Sequence, residues 1–332
     1  MVFWGVVAGV ELLIFPGLFF IFWLALFYQW ADRKFHAKLQ TRYGPLHIGA
    51  KGLYQPFADF VKLLGKEDIV PKAADRFLFT LAPIMLLVLP FTAMFLVPTV
   101  PIHSNVAFAA FEGDIVVMIF ILTMIAALKF LAAWGSTNRF STVGGVRLIL
   151  QLIGYEIPLA VVLLSAGMIT GSLSISTIAQ RMDAEPLKAI FLVPGLAIAI
   201  ICFLAELEKV PFDIPGAEQE IVAGWQTEFS GRRLAFLRLS SDIELVLAST
   251  LIAAVFLGGP YGPTLSYIPI EFSYFIWFFI KAFVVLLVIS YMRTIFARFR
   301  IDQMIQFAWR YLMVTSILQV MLIQGVLAAG WV

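Results

Sequence analysis

Long apolar runs separated by charged stretches set the pattern of this chain. The first spans Phe3 to Trp30, and seven more cover residues 77–98, 114–134, 147–170, 188–206, 236–258, 274–293 and 309–330. At a helical rise of about 1.5 Å per residue, such runs match a hydrocarbon core of roughly 30 Å. The pattern predicts an all-α integral membrane protein with about eight transmembrane helices, folded as one polytopic domain over residues 1–332. The first run is too long for a signal-peptide core, has no basic residues before it and is followed by charge, so it reads as a retained span. The sequence shows neither a repeat of 20 to 50 residues nor an inverted pair of broken helices, which argues against a secondary transporter.

Lysine and arginine divide the connections into two sets. Arg33, Lys34, Lys38, Arg42, Lys51, Lys62, Lys66, Lys72 and Arg76 fill the first loop, whereas Thr99 to Gly113 holds none. Arg139 and Arg147 mark the third connection, Lys209, Arg232 and Arg233 the fifth, and Arg293, Arg298 and Arg300 the seventh; the fourth has only Arg181 and Lys188. Because basic residues are retained on the cytoplasmic side, odd loops are expected inside, with both termini outside a cell membrane. Two of these loops are long, residues 31–76 and 207–235, and both mix charges with aromatics and prolines, as ordered segments do. Within the first, Pro56 to Leu64 is a candidate interfacial amphipathic helix.

Composition narrows the function. With 61% hydrophobic and 13% charged residues and a net charge of +2, the chain has no basic surface suited to nucleic acid. Its single cysteine, Cys202, rules out an iron–sulfur cluster held by this chain alone or an internal disulfide. His36, His47 and His103 lack ligand spacing, and neither a phosphate loop nor a Ser/His/Asp set is recognisable. Catalytic, cofactor and metal sites are therefore not expected here, and any redox centre belongs to a partner.

Ionisable residues inside the apolar runs carry the remaining information, since each costs roughly 2.5–3.5 kcal/mol on insertion scales unless paired or hydrated. Glu156 lies about ten residues into the fourth run, followed by Pro158, which frees a backbone carbonyl. Lys129 in the third run is a possible counter-ion to it; the alternative is a Lys–Glu pair that only fixes helix packing. Glu11 and Lys281 are weaker candidates, being near enough to an end to snorkel. The densest cluster is Glu206, Glu208, Asp213, Glu218, Glu220, Glu228, Asp242 and Glu244, eight of the 21 acidic residues within residues 206–244. Pro211 and Pro215 prevent regular helix between them. Crowded, partly buried carboxylates repel one another, which raises their pKa toward neutrality, as a proton path requires. About half of these acids are expected to pair instead with Lys209, Arg232, Arg233 and Arg238 or to face water.

Val210-Pro211-Phe212-Asp213-Ile214-Pro215, with Ala205-Glu206 before it and Glu218-Gln219-Glu220-Ile221-Val222-Ala223-Gly224 after it, resembles the signature of the H subunit of NADH:quinone oxidoreductase, respiratory complex I. The resemblance covers nearly the whole chain. It includes Asp32-Arg33-Lys34, Gln40-Thr41-Arg42-Tyr43-Gly44-Pro45, Gly52-Leu53-Tyr54-Gln55-Pro56-Phe57-Ala58-Asp59, Trp134, Asn138, Arg147, Tyr155-Glu156, Arg293, Arg298 and Arg300. It implies a non-catalytic subunit at the junction of a peripheral redox arm and an ion-pumping membrane arm. Iron–sulfur and catalytic subunits, antiporter-like and small membrane subunits, and the lipid bilayer would then be its partners. Proton or ion coupling would rest on Glu156, Glu206, Glu208, Asp213, Glu218, Glu220, Glu228 and Lys129. Partner contacts would fall on Arg33, Arg42, Gln55, Asp59, Pro211, Phe212, Arg293, Arg298 and Arg300. Several positions depart from the quinone-type pattern: Glu208-Lys209 replaces the usual Asn-Arg, Gly216-Ala217 interrupts Pro-Glu-Gly-Glu, Ser241 stands where an acid is common, and Lys129 is unusual. These look more like the archaeal membrane-bound hydrogenase and sulfane sulfur reductase branch, where a nickel–iron centre or iron–sulfur clusters sit in partners. The alternative is a quinone-site subunit.

Overall fold

A computed structural model describes residues 13–15, 17–99, 107–263 and 269–330, and helix is the regular structure throughout them. In chain order the helices are α1 (Leu18–Leu39), α2 (Gln55–Leu64), α3 (Arg76–Met94), α4 (Asp114–Gly135), α5 (Arg139–Thr170), α6 (Ile175–Ala184), α7 (Pro186–Phe191), α8 (Val193–Glu206), α9 (Gly231–Phe256), α10 (Ile270–Ile295) and α11 (Ile301–Ala328). Asp75 caps α3 by accepting from the Phe77 and Leu78 amides, and Asn138 caps α5 through the Phe140 amide.

Among the described residues six helices, α3, α4, α5, α9, α10 and α11, are long and apolar enough to cross a membrane. The expected fifth span is shorter than its apolar run. The chain turns at Leu192, before Val193 and Pro194 at the start of α8, whose 14 residues reach only about 21 Å. The first expected span extends the other way. Its helix continues to Leu39, well past Trp30, because Asp32 is buried against polar partners instead of marking a loop. Likewise α5 starts at Arg139 and α11 at Ile301, each eight residues before its apolar run. The amphipathic helix expected at Pro56 is present as α2. Glu11, His103 and Ser104 lie outside the described residues.

The centre of the bundle is α9. In its most apolar stretch 89% of residues are buried, against 28% for α11, and it packs on α1, α2, α3, α6, α8 and α10. Around it, α5 packs on α4, α8 and α11. The connections gather in two groups. At one end Asp68 bonds Arg233 at 2.7 Å, the Ile69 amide donates to Ser230 at 3.1 Å, and the Phe299 amide donates to the Pro211 carbonyl at 3.0 Å. At the other end the Ala107 amide donates to Ser176 at 3.0 Å, Ser174 to Asp114 at 3.0 Å, and Lys281 to the Tyr261 carbonyl at 2.5 Å. This alternation is the one expected from the basic residues.

Candidate functional site: a charged cleft and the carboxylates beneath it

The segment between α8 and α9 forms the floor of the first group of connections. It is irregular from Leu207 to Ala217, as its prolines require, and is pinned by packing. Phe212 is buried beside the Phe299 ring, and the backbone around Pro215, Gly224 and Trp225 lies directly on α5 at Gly144. The Phe79 and Phe229 rings stack with centroids 4.3 Å apart, and Arg233 covers Phe79. Glu208 adopts the left-handed region, with φ of 50°.

Two adjoining clefts result. The first, about 300 Å³, is lined by Asp32, Arg33, Glu208, Lys209, Asp213, Asp242 and Arg293 among others. Inside it, Asp32 accepts from Lys209 at 3.0 Å, Arg293 at 2.7 Å and Ser290. The second, about 270 Å³, shares Glu208, Asp213 and Ser241 with the first and adds Lys129, Glu218, Trp225 and Gln226. Asp213 therefore faces both. Burial, aided by the negative charges of Glu208 and Glu218 and opposed by Arg298 and Arg293, pushes its pKa up to about 6. Burial also pulls Lys209 below the ordinary lysine range, even with Asp32 beside it.

Beneath the clefts the charges continue into the bundle. Lys129 on α4 lies 3.1 Å from Glu208 and 2.9 Å from Glu244 on α9, which also accepts from Ser240 at 2.9 Å. Trp225 donates to Glu208 at 2.8 Å. One turn along α5 from Gln151, which donates to the Ala205 carbonyl at 2.7 Å, Tyr155 donates to Glu206. Next to Tyr155, Glu156 accepts from Thr123 of α4. A cavity of about 10 Å³ separates Glu156 from Glu206.

These placements sort the residues that the sequence points to. Glu156, Glu206, Glu208, Asp213 and Lys129 fall in or just below the clefts, and Glu218 is on the rim. Glu220 is exposed and bound to Arg147 at 2.6 Å, while Glu228 accepts from Asn138. The expected pairing of Lys129 with Glu156 does not occur; helix rotation turns Lys129 toward α9 and the Glu208 turn. The loop acids also do not pair with Arg232 or Arg233, which bind Asp68. Among the residues expected at partner contacts, Arg33 binds Asp59 at 2.8 Å beside Gln55, and Arg298 donates to Gln219 at 3.2 Å. Arg42 is exposed, and the Arg300 amide donates to Gln303 at the start of α11. Pro211 and Phe212 are buried and hold the loop, and Arg293 lies within the cleft. Asp242 and Glu244, which the sequence shows within the acid cluster without placing them among the coupling positions, complete the arrangement together with Asp32, Thr123 and Tyr155. Acids inside the apolar run of α9 are the available signal for Asp242 and Glu244. Asp32 has none, being embedded in Asp-Arg-Lys.

Six long apolar helices among the described residues, with polar clefts at one end and carboxylates buried beneath them, define a multi-pass membrane protein of the all-α class. The profile of a family described as NADH dehydrogenase matches residues 12–324. The H subunit of NADH-quinone oxidoreductase from Chlorobaculum parvum is 36% identical over 96% of this chain and 90% of its own length. The H subunit of F(420)H(2) dehydrogenase from Methanosarcina acetivorans is 37% identical over 87% of this chain and 85% of its own. The H subunit of NADH-quinone oxidoreductase from Carboxydothermus hydrogenoformans is 34% identical over 90% and 84%. The chain belongs to the H-subunit family of complex I-like membrane oxidoreductases.

Proposed function

We propose that this chain couples electron transfer in a peripheral arm to H⁺ or Na⁺ translocation in the membrane arm, without a redox centre of its own. One observation carries this reading: side chains from the loop after α8 and from α4, α5, α8 and α9 lead from the two clefts through Glu208, Lys129 and Glu244 to Glu206 and Glu156. A charge change at the clefts acts on these acids by Coulomb coupling, which is stronger in a poorly hydrated site than in water. The Asp213 carboxyl, its pKa pushed up to about 6, is suited to respond first.

The specific complex is an archaeal-type membrane-bound hydrogenase or sulfane sulfur reductase, with iron–sulfur and hydrogenase-like subunits at the clefts. Support comes from the departures from the quinone-type pattern: Lys129, Glu208, Lys209 and Ser241 all line the clefts, the place where a change of electron acceptor would be felt. The second reading, a quinone-site subunit, is favoured by the volume of the first cleft and by relatives named NADH-quinone oxidoreductase. Solvent extraction of the purified complex separates them: bound isoprenoid quinone supports the second reading, and hydrogen evolution or sulfane reduction without it supports the first.

The coupling itself is tested with Asp213→Asn and Glu156→Gln, each close in size and without a titratable proton. Both complexes are expected to assemble. Asp213→Asn is expected to impair electron transfer or its coupling, and Glu156→Gln to lower the number of ions moved per electron. Glu185→Gln, at the opposite end beside Lys188, is expected to do neither. Normal turnover and a normal ion-to-electron ratio in both variants would reduce the clefts to a docking surface.

A further inference from the structure

Three carboxylates and one ammonium meet where the second cleft ends in the bundle, and each carboxylate is held by a neutral donor of its own. Trp225 donates to Oε2 of Glu208 at 2.8 Å, Ser240 lies 2.9 Å from Oε1 of Glu244, and Tyr155 donates to Oε2 of Glu206. Each acid therefore keeps one oxygen for another partner. Lys129 takes two of these, Oε1 of Glu208 at 3.1 Å and Oε2 of Glu244 at 2.9 Å. The third, Oε1 of Glu206, is buried and has no partner among the described residues, although the Lys129 ammonium is close enough to feel the charge of Glu206. An ammonium has three protons, so two bonds to carboxylates leave one for a further acceptor.

The four groups differ in freedom and in access. Glu208 stands at a turn fixed by its own amide, which donates to the Ala205 carbonyl at 3.1 Å, and by the Lys209 amide, which donates to the Leu204 carbonyl at 3.1 Å. Glu206 and Glu244 sit on α8 and α9 and are 4% and 3% exposed. Only Lys129 carries its charge on a flexible four-carbon stem. Glu208 lines both clefts, and the other two acids lie beneath it. A positive charge arriving at Glu208 competes with Lys129 for that carboxylate and repels its ammonium, and the open acceptor is the inward one. We propose that Lys129 is a moving charge, which keeps its bond to Glu244 and passes from Glu208 to the free oxygen of Glu206 when a cationic group enters the clefts. The move delivers positive charge to the acid that faces Glu156 across the small cavity. It rests on the coupling reading above and names the group that carries the signal inward.

Glu208→Gln keeps the size of the side chain and an oxygen for Trp225 while removing the charge that holds Lys129 at the cleft. The intact complex, purified through a tag on this chain, is compared with and without this substitution by cryo-electron microscopy. The Lys129 Nζ is expected to leave position 208 and to lie within hydrogen-bond distance of Glu206 while remaining on Glu244. An ammonium that stays beside position 208 would overturn the proposal, whatever the complex pumps. If the Glu208→Gln complex does not assemble, Glu208→Asp decides: it retains the charge, withdraws the carboxylate by one methylene and is expected to cause the same displacement. Lys129→Arg provides the functional arm. Its planar fork holds Glu208 and Glu244 together but cannot pass from one acid to the next, so the number of ions moved per electron is expected to fall about two-fold or more. A normal ratio in Lys129→Arg, with Asp213→Asn and Glu156→Gln still impaired, would remove the moving lysine and leave the coupling reading intact.

Discussion

Lys129 lies among three carboxylates and bonds two of them, Glu208 from the cleft and Glu244 from the central helix. Removing one partner of a buried pair leaves the other charge uncompensated, which costs about 3–5 kcal/mol, whereas removing both is far cheaper. Lys129→Met is therefore expected to lower the thermal stability of the chain strongly, and Lys129→Met with Glu244→Gln to restore most of it; a double-mutant cycle on unfolding measures the coupling. Asp213 provides a pH test of opposite character. Its folded pKa of about 6 stands above that of an unfolded aspartate, so the folded state binds more protons between the two values and stability falls as pH rises through that window. Asp213→Asn is expected to flatten the pH dependence of unfolding there, and to remove an ionisation near pH 6 from the turnover profile. Both residues are legible in the sequence, one as a charge inside an apolar run and the other within the proline-bounded acid cluster. The partner of Lys129 is not, because a run of apolar residues has no polar face to indicate rotation about the helix axis.

At the scale of elements, the loop after α8 depends on close backbone contact with α5. A Cβ placed on Gly144 would stand 2.7 Å from the Trp225 amide nitrogen and 2.9 Å from the Pro215 carbonyl oxygen. Gly224, at φ +58°, meets the same carbonyl. Gly144→Ala is thus expected to lift the loop from the helix, with an overpacking cost of about 1–3 kcal/mol and a loss of the Trp225–Glu208 bond. Tryptophan fluorescence and the yield of assembled complex would register it; an unchanged yield and spectrum would mean that the loop is held elsewhere. The irregularity of this loop is legible from Pro211 and Pro215. Its seat on α5 is not, since a glycine inside a helix can equally mark a bend, a lipid-facing gap or a packing contact.

At the scale of the molecule, the connections fall at two ends, and the end rich in Lys and Arg carries both clefts. By the positive-inside rule that end is expected in the cytoplasm, the side on which the proposed peripheral redox arm would dock. A cysteine at Lys66 is expected to react with an impermeant maleimide only after permeabilisation, and one at Ser104 to react in intact cells; the reverse pattern would invert the assignment. The exposed apolar faces of α10 and α11, beside a central α9 that is almost wholly buried, leave lipid and neighbouring membrane subunits as the surroundings these helices fit.

The sequence by itself determined the solvent of this protein, the number and order of its apolar runs, the alternation of its connections and the acids worth watching. Those follow from local quantities: the cost of charge in hydrocarbon, the length of a span and the retention of basic loops. Only the tertiary structure decided that helix α1 runs through Asp32, that Lys129 serves Glu208 and Glu244, that Glu220 faces outward, and that Glu206 and Glu156 share a cavity. Each of these depends on helix rotation and on contacts between residues far apart in the chain, such as Asp32 with Lys209 and Arg293. Hydropathy is nearly uniform around these helices, so it specifies that they are buried in a membrane but not which side chains meet.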